Sequence, residues 1–159
     1  MSNPKALDIL LGALRAGRLH HAILLYGSSI QVLEDIAKQV AQRLLGSQPE
    51  KHPDFFELRP QGKMRQIKIG SDADKIGGDW PPNTMRRLLK EISQTSNRGG
   101  NKVAIVYEAD RMNDSAANAF LKTLEEPPRG TTIFMLTTRP NDLLDTIRSR
   151  CISLRADSA

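Results

Sequence analysis

Three short segments of this sequence hold residue types that could act on phosphate. The first is the turn after the apolar run Ala22-Ile23-Leu24-Leu25-Tyr26, which reads Gly27-Ser28-Ser29-Ile30-Gln31-Val32-Leu33-Glu34. A glycine turn between a strand and a helix offers unpaired backbone N–H groups and a positive dipole end to an anion. A nucleotide loop of the form G-x-x-x-x-G-K-[ST] adds a second glycine, a lysine that neutralises the phosphates and a hydroxyl that holds magnesium. With Gly27 as the first glycine, Val32 falls at the second, Leu33 at the lysine and Glu34 at the hydroxyl. Val32 resists positive φ, Leu33 has no charge and Glu34 repels a triphosphate, so this loop is expected not to bind ATP. Ser28 is expected instead to cap the following helix, with Gln31 reaching back to complete the box.

The second segment is Val106-Tyr107-Glu108-Ala109-Asp110, at the end of an apolar run. An ATPase built on such strands ends this one in a carboxylate pair that orients magnesium and the attacking water. Tyr107 stands at the first carboxylate and Glu108 remains alone, so no intrinsic catalysis is expected. The third segment is Ser149-Arg150-Cys151, whose spacing alone reads as an ordinary basic loop. His20, His21 and His52 have no metal-ligand spacing, and the two adjacent histidines are expected to point to different sides, so no metal site is expected.

The elements that must position these residues alternate in type. Leu7, Ile9, Leu10, Leu11 and Leu14 suggest a first helix ended by Gly17, and residues 22–26 a strand buried on both faces. Ile30, Leu33, Ile36, Ala37, Val40, Ala41 and Leu44 recur at helical spacing up to Gly46. Further strands are expected at 54–58, 102–107, 131–137 and 151–154, with helices at 85–96, 113–126 and 142–147. Alternating helix and strand imply a mostly parallel sheet. Residues 61–69, where Lys63, Arg65 and Lys68 interleave with apolar side chains, suggest a basic hairpin or loop. Residues 70–83 hold three glycines, two prolines and three aspartates around Trp80 and read as a surface loop.

A chain of 159 residues suits one domain with a full core. Its 23 Lys and Arg against 18 Asp and Glu give a net charge of +5, compatible with contact to phosphate backbones. The single Cys151 excludes an internal disulfide and any cysteine-based zinc module. No apolar stretch approaches the roughly 20 residues needed to span a bilayer, and the first residues lack a signal-peptide core, so no membrane association and a cytoplasmic location are expected.

Taken in order, His21 to Gly27, His52-Pro53-Asp54-Phe55, Lys102-Val103-Ala104-Ile105-Val106, Ala109-Asp110-Arg111-Met112, residues 117–128 ending Leu124-Glu125-Glu126-Pro127-Pro128, and Ile147-Arg148-Ser149-Arg150-Cys151 carry a family resemblance. The chain resembles the N-terminal AAA+ domain of the delta-prime subunits of the bacterial DNA polymerase III clamp loader, over most of its length. The related gamma/tau ATPases share the 117–128 stretch, and the degenerate loop at Val32-Leu33-Glu34 favours delta-prime. The family often carries four zinc-binding cysteines before His-Pro-Asp, where this chain has only residues 46–51, so no zinc is expected. Residues 70–83 look like an insertion. Family members continue into a helical lid and a collar domain, so residues 1–159 are expected to be the RecA-like AAA+ domain alone, either a piece of a longer protein or a truncated relative.

The resemblance implies a stator-like subunit without its own ATP or magnesium, acting in DNA replication beside gamma/tau and delta subunits, with the sliding clamp and primer-template DNA as partners of the complex. Arg150 is then the arginine finger that reaches a neighbour's γ-phosphate, with Ser149 and Cys151 setting its turn. Lys122, Lys63, Arg65 and Lys68 are candidate DNA contacts, and Thr137 and Thr138 stand where the ATPases keep a phosphate sensor but are expected to be structural here. Two other classes stay open: a gamma/tau-type ATPase with an altered phosphate loop, and a free-standing AAA+-like scaffold.

Overall fold

The computed structural model describes residues 5–94 and 100–157. Five strands form one sheet in the order β2-β3-β4-β1-β5, with every pairing parallel. The strands are β1 (Ala22–Tyr26), β2 (Phe55–Leu58), β3 (Lys102–Val106), β4 (Thr131–Thr137) and β5 (Ile152–Arg155). Helices α1 (Lys5–Arg15), α2 (Ile30–Leu45), α3 (Met85–Ser93), α4 (Asp114–Glu125) and α5 (Asp145–Arg148) connect or precede them. The all-parallel sheet is the one expected of the alternating pattern, and the RecA-like fold is the one the family resemblance implies.

The three central strands have no solvent face, which is why their sequences are continuous apolar runs. Ala22, Leu24, Ala104, Val106, Ile133 and Met135 join one core with α3, α4 and α5. The alternate residues Ile23, Leu25, Val103, Ile105, Phe134 and Leu136 join a second core with α1 and α2. The period-2 pleat thus divides one run of hydrophobes between two cores, each fully buried Leu, Ile or Phe contributing about 1.5–3 kcal/mol. Gly46 ends α2 in the left-handed region (φ 77°), its N–H bonded to the Gln42 carbonyl at 2.8 Å.

Several boundaries differ from the sequence reading. Helix α3 ends at Ser93, and the expected continuation to 96 lies partly outside the described residues. The expected helix over 142–147 is split: Pro140–Asp142 forms a 3-10 turn and Leu144 is extended (ψ 137°) before α5 begins. The last strand starts at Ile152 because Cys151 still spends its N–H on the Arg148 carbonyl (3.4 Å). The basic segment closes as a tight hairpin, Gln61 bridging Gln66, and then runs alongside Met112 and Thr84.

Candidate functional site

The turn after β1 is closed from within. Helix α2 starts at Ile30, so Val32, Leu33 and Glu34 already lie in its first two turns. The cap is Ser29, not the expected Ser28 with Gln31: the Ser29 Oγ accepts from the Val32 N–H at 3.4 Å, and its carbonyl accepts from the Leu33 N–H at 3.2 Å. Ser28 is displaced from that role because its own N–H donates to the Asp157 carboxylate (2.9 Å), which arrives from the chain after β5. That backbone hydrogen bond, with Arg155 Nε at 2.7 Å from the other oxygen, holds the Asp157 carboxyl below the ordinary carboxylate range. Gly27 serves this crossing: a Cβ there would overlap the Ala156 carbonyl oxygen and sit 2.9 Å from Asp157 Oδ1. Leu33, at the lysine position, is fully buried in the α1/α2 core.

Glu34 faces a cleft shared with Ile30, Gln31, Arg59, Tyr107 and Glu108. Its Oε2 lies 3.3 Å from Lys38 Nζ and 3.2 Å from Arg59 Nη2. The same Arg59 nitrogen is 3.1 Å from Glu57, and the Tyr107 hydroxyl also donates to Glu57. Burial alone would push the Glu34 carboxyl up, but its polar neighbours, the Tyr107 hydroxyl, the Lys38 ammonium and the Arg59 guanidinium, outweigh it and hold it low. Burial, then the bond to Glu57, raises the Tyr107 phenol and keeps it protonated. Glu108 takes a left-handed backbone (φ 48°) and pairs with Arg65, which has the same φ of 48°. Glu57 and Arg59 carry no motif. They reach Tyr107 only because β2 pairs with β3 in the register Leu58 to Val106.

Arg150 sits on the short link between α5 and β5. Its Nε and Nη2 lie 2.8 and 2.7 Å from one oxygen of Glu125, the last residue of α4. Its Nη1 donates to the Thr146 carbonyl at 2.6 Å and to Ser149 Oγ at 3.5 Å. Ser149 and Cys151 both turn back onto α5, the hydroxyl to Thr146 O (3.1 Å) and the thiol to Ile147 O (3.3 Å). Burial pushes the Cys151 thiol up to about 11. Nothing in the sequence motif pairs Glu125 with Arg150; the fold brings them together.

The histidines also depart from expectation. His20 and His21 stack with ring centroids 4.3 Å apart, because they lie in the turn before β1 where strand alternation has not begun. His21 Nε2 donates to the Leu124 carbonyl (3.2 Å) at the end of α4, and His52 Nδ1 accepts the Asp54 N–H (3.0 Å). Among the described residues no group of His, Cys, Asp and Glu could hold a metal ion. The Thr137 hydroxyl is buried, donating to Asp110 (2.7 Å) and accepting from the Arg139 N–H (2.9 Å).

The structure therefore gathers Glu34, Tyr107 and Glu108 around one cleft, Gly27 and Ser28 at a separate depression with Thr138 and Asp157, and Arg150 on the loop beside α4. Lys63 and Lys68 are exposed on the hairpin whose Arg65 is spent on Glu108, and Lys122 is exposed on α4.

A family model described as DNA polymerase III, delta subunit, matches residues 2–158. The Escherichia coli DNA polymerase III subunit delta' is 33% identical over 160 residues, covering 89% of this chain and 44% of that protein. The E. coli subunit tau is 33% identical over 153 residues, with 92% of this chain and 23% of that protein covered. A solved DNA polymerase III gamma subunit-related protein of Thermotoga maritima superposes with a TM-score of 0.75 at 27% identity, over 94% of this chain and 46% of that one. The chain spans less than half the length of these relatives.

Proposed function

The chain belongs to the DNA polymerase III delta-subunit family, and from that membership we propose that it is a stator-like clamp-loader subunit that supplies Arg150 to a neighbouring subunit's ATP. The observation that carries this reading is the internal closure of the turn after β1. Gly27, Ser28, Val32 and Leu33 spend their N–H groups on Thr137 O, Asp157, Ser29 Oγ and Ser29 O. The lysine and hydroxyl positions of a nucleotide loop are taken by buried Leu33 and anionic Glu34, and the Asp157 carboxylate already occupies the Ser28 donor.

In this reading ATP and magnesium belong to the gamma/tau partner, and this subunit uses no zinc. The delta subunit is the other neighbour, and the sliding clamp and primer-template DNA are met through the complex. Lys122, Lys63 and Lys68 are offered as backbone contacts, Arg65 less so because Glu108 already neutralises it. Arg150 suits the trans role because its planar fork pairs with phosphate oxygens as charge develops. Ser149 and Cys151 hold the turn that presents it.

The test is reconstitution with gamma/tau and delta subunits, clamp and primed DNA. Arginine fingers are worth roughly 10³ to 10⁵ in rate, so Arg150→Ala is expected to silence hydrolysis at the adjacent site. Clamp-stimulated hydrolysis at the wild-type rate would sink the assignment.

A further inference from the structure

The residue proposed to reach across the interface is already engaged in cis. Both nitrogens on one edge of the Arg150 guanidinium lie within 2.8 Å of Glu125 Oε1, and the remaining Nη1 is on Thr146 O at 2.6 Å. A single carboxylate oxygen thus takes both donors of the edge that would face an anionic phosphate oxygen. We propose that Glu125 is a latch: it holds Arg150 as a stand-in for the neighbour's phosphate and surrenders it when the nucleotide-bearing interface closes. The inference rests on the trans-arginine reading of Arg150.

Two features fit Glu125 to this role. The first is a fixed post. Helix α4 buries Phe120 and Leu124, ties the Leu124 carbonyl to His21, and is followed by Pro127-Pro128, so Glu125 stands on a rigid end. The second is releasability. The Arg150 side chain is 32% exposed and that of Glu125 50%, and a pair so open to water is held weakly enough to be exchanged. A finger parked this way is pre-oriented and does not collect stray anions before the partner arrives. Glu125 is a positioning residue here, since it acts on phosphate only through Arg150.

The experiment uses Glu125→Gln and Arg150→Ala with two readouts. In the isolated chain, the Nε–H resonance of Arg150 is expected to move and exchange faster with water in Glu125→Gln. In the complex with gamma/tau and delta, removing a surface pair of this kind is expected to raise partner ATP hydrolysis at sub-saturating chain concentration by roughly two- to five-fold. An unmoved Arg150 resonance overturns the latch. So does a resonance that moves while hydrolysis stays level or falls in Glu125→Gln, provided Arg150→Ala is inactive; the finger reading then stands. If Arg150→Ala hydrolyses normally, the finger reading fails and the latch, with nothing to withhold, fails with it.

Discussion

The guanidinium carbon of Arg59 lies 3.7 Å from the centre of the Tyr107 ring while its Nη2 is shared between Glu34 and Glu57. A cation thus sits over an aromatic face between two carboxylates, in the cleft at the helix position where a nucleotide loop carries its magnesium-holding hydroxyl.

That arrangement makes stability depend on pH through Glu34. Its folded pKa lies below the ordinary 4.5, so its contribution is fully present above the unfolded value and is lost as pH falls through the folded one. Glu34→Gln is expected to lower urea stability by about 1–2 kcal/mol at pH 7. The gap to wild type should hold down to about pH 5 and close below the ordinary carboxylate pKa. A gap that stays constant to about pH 3 would rule out ionised Glu34 as its source.

Restoring a lysine at the loop should not restore nucleotide binding. Leu33 is fully buried, so Leu33→Lys puts an unpaired ammonium in the α1/α2 core and is expected to cost roughly 3–5 kcal/mol. Calorimetry should detect no ATP binding to the wild type up to about 1 mM ligand, where binding free energy is only about −4 kcal/mol. Micromolar binding by either protein would show that the turn opens.

Gly27→Ala tests the crossing beneath Asp157. The added methyl meets the Ala156 backbone first, which, unlike the nearby Asp157 carboxylate, cannot swing away, so the tail after β5 must shift. A loss of about 1–3 kcal/mol is expected in chemical denaturation, together with faster hydrogen exchange at the Ser28 amide. An unaltered Ser28 exchange rate would show that the close approach does not hold that bond.

Exposed lysines on α4 and on the hairpin can be separated by salt. In the reconstituted complex, Lys122→Ala and Lys63→Ala should each lower the slope of log affinity for primed DNA against log salt by about 0.9 per lost phosphate contact. A slope equal to wild type removes that lysine from the DNA surface.

The central strands were legible because a strand buried on both faces must be written as an unbroken apolar run: the bounds expected for β1 and β4 are those observed. Gly46 likewise announced the end of α2, since a left-handed cap favours glycine. The polar chemistry was less visible. Ser28 and Asp157 are separated by 129 positions and meet only through the pairing of β1 with β5. Glu125 and Arg150 are 25 positions apart and face each other through the packing of α4 with the α5 loop. Neither pair has a spacing that periodicity could reveal, and a carboxylate on an exposed helix end looks solvated until its partner is placed.

The excursion at 70–83 leaves and rejoins the chain at one point. Lys68 bridges Thr84, the Met85 and Arg86 N–H groups bond to the Lys68 and Ile69 carbonyls at 2.9 and 2.8 Å, and a Cβ on Gly70 would lie 3.0 Å from that of Thr84. The neck of the excursion is therefore fastened at its two ends, and closing a longer loop adds only about 0.6 kcal/mol per doubling of its length. The segment is an appendage: Asp79 ties it to Arg87 and Lys90 and Asn83 to the Arg59 N–H, yet none of its side chains belongs to either core.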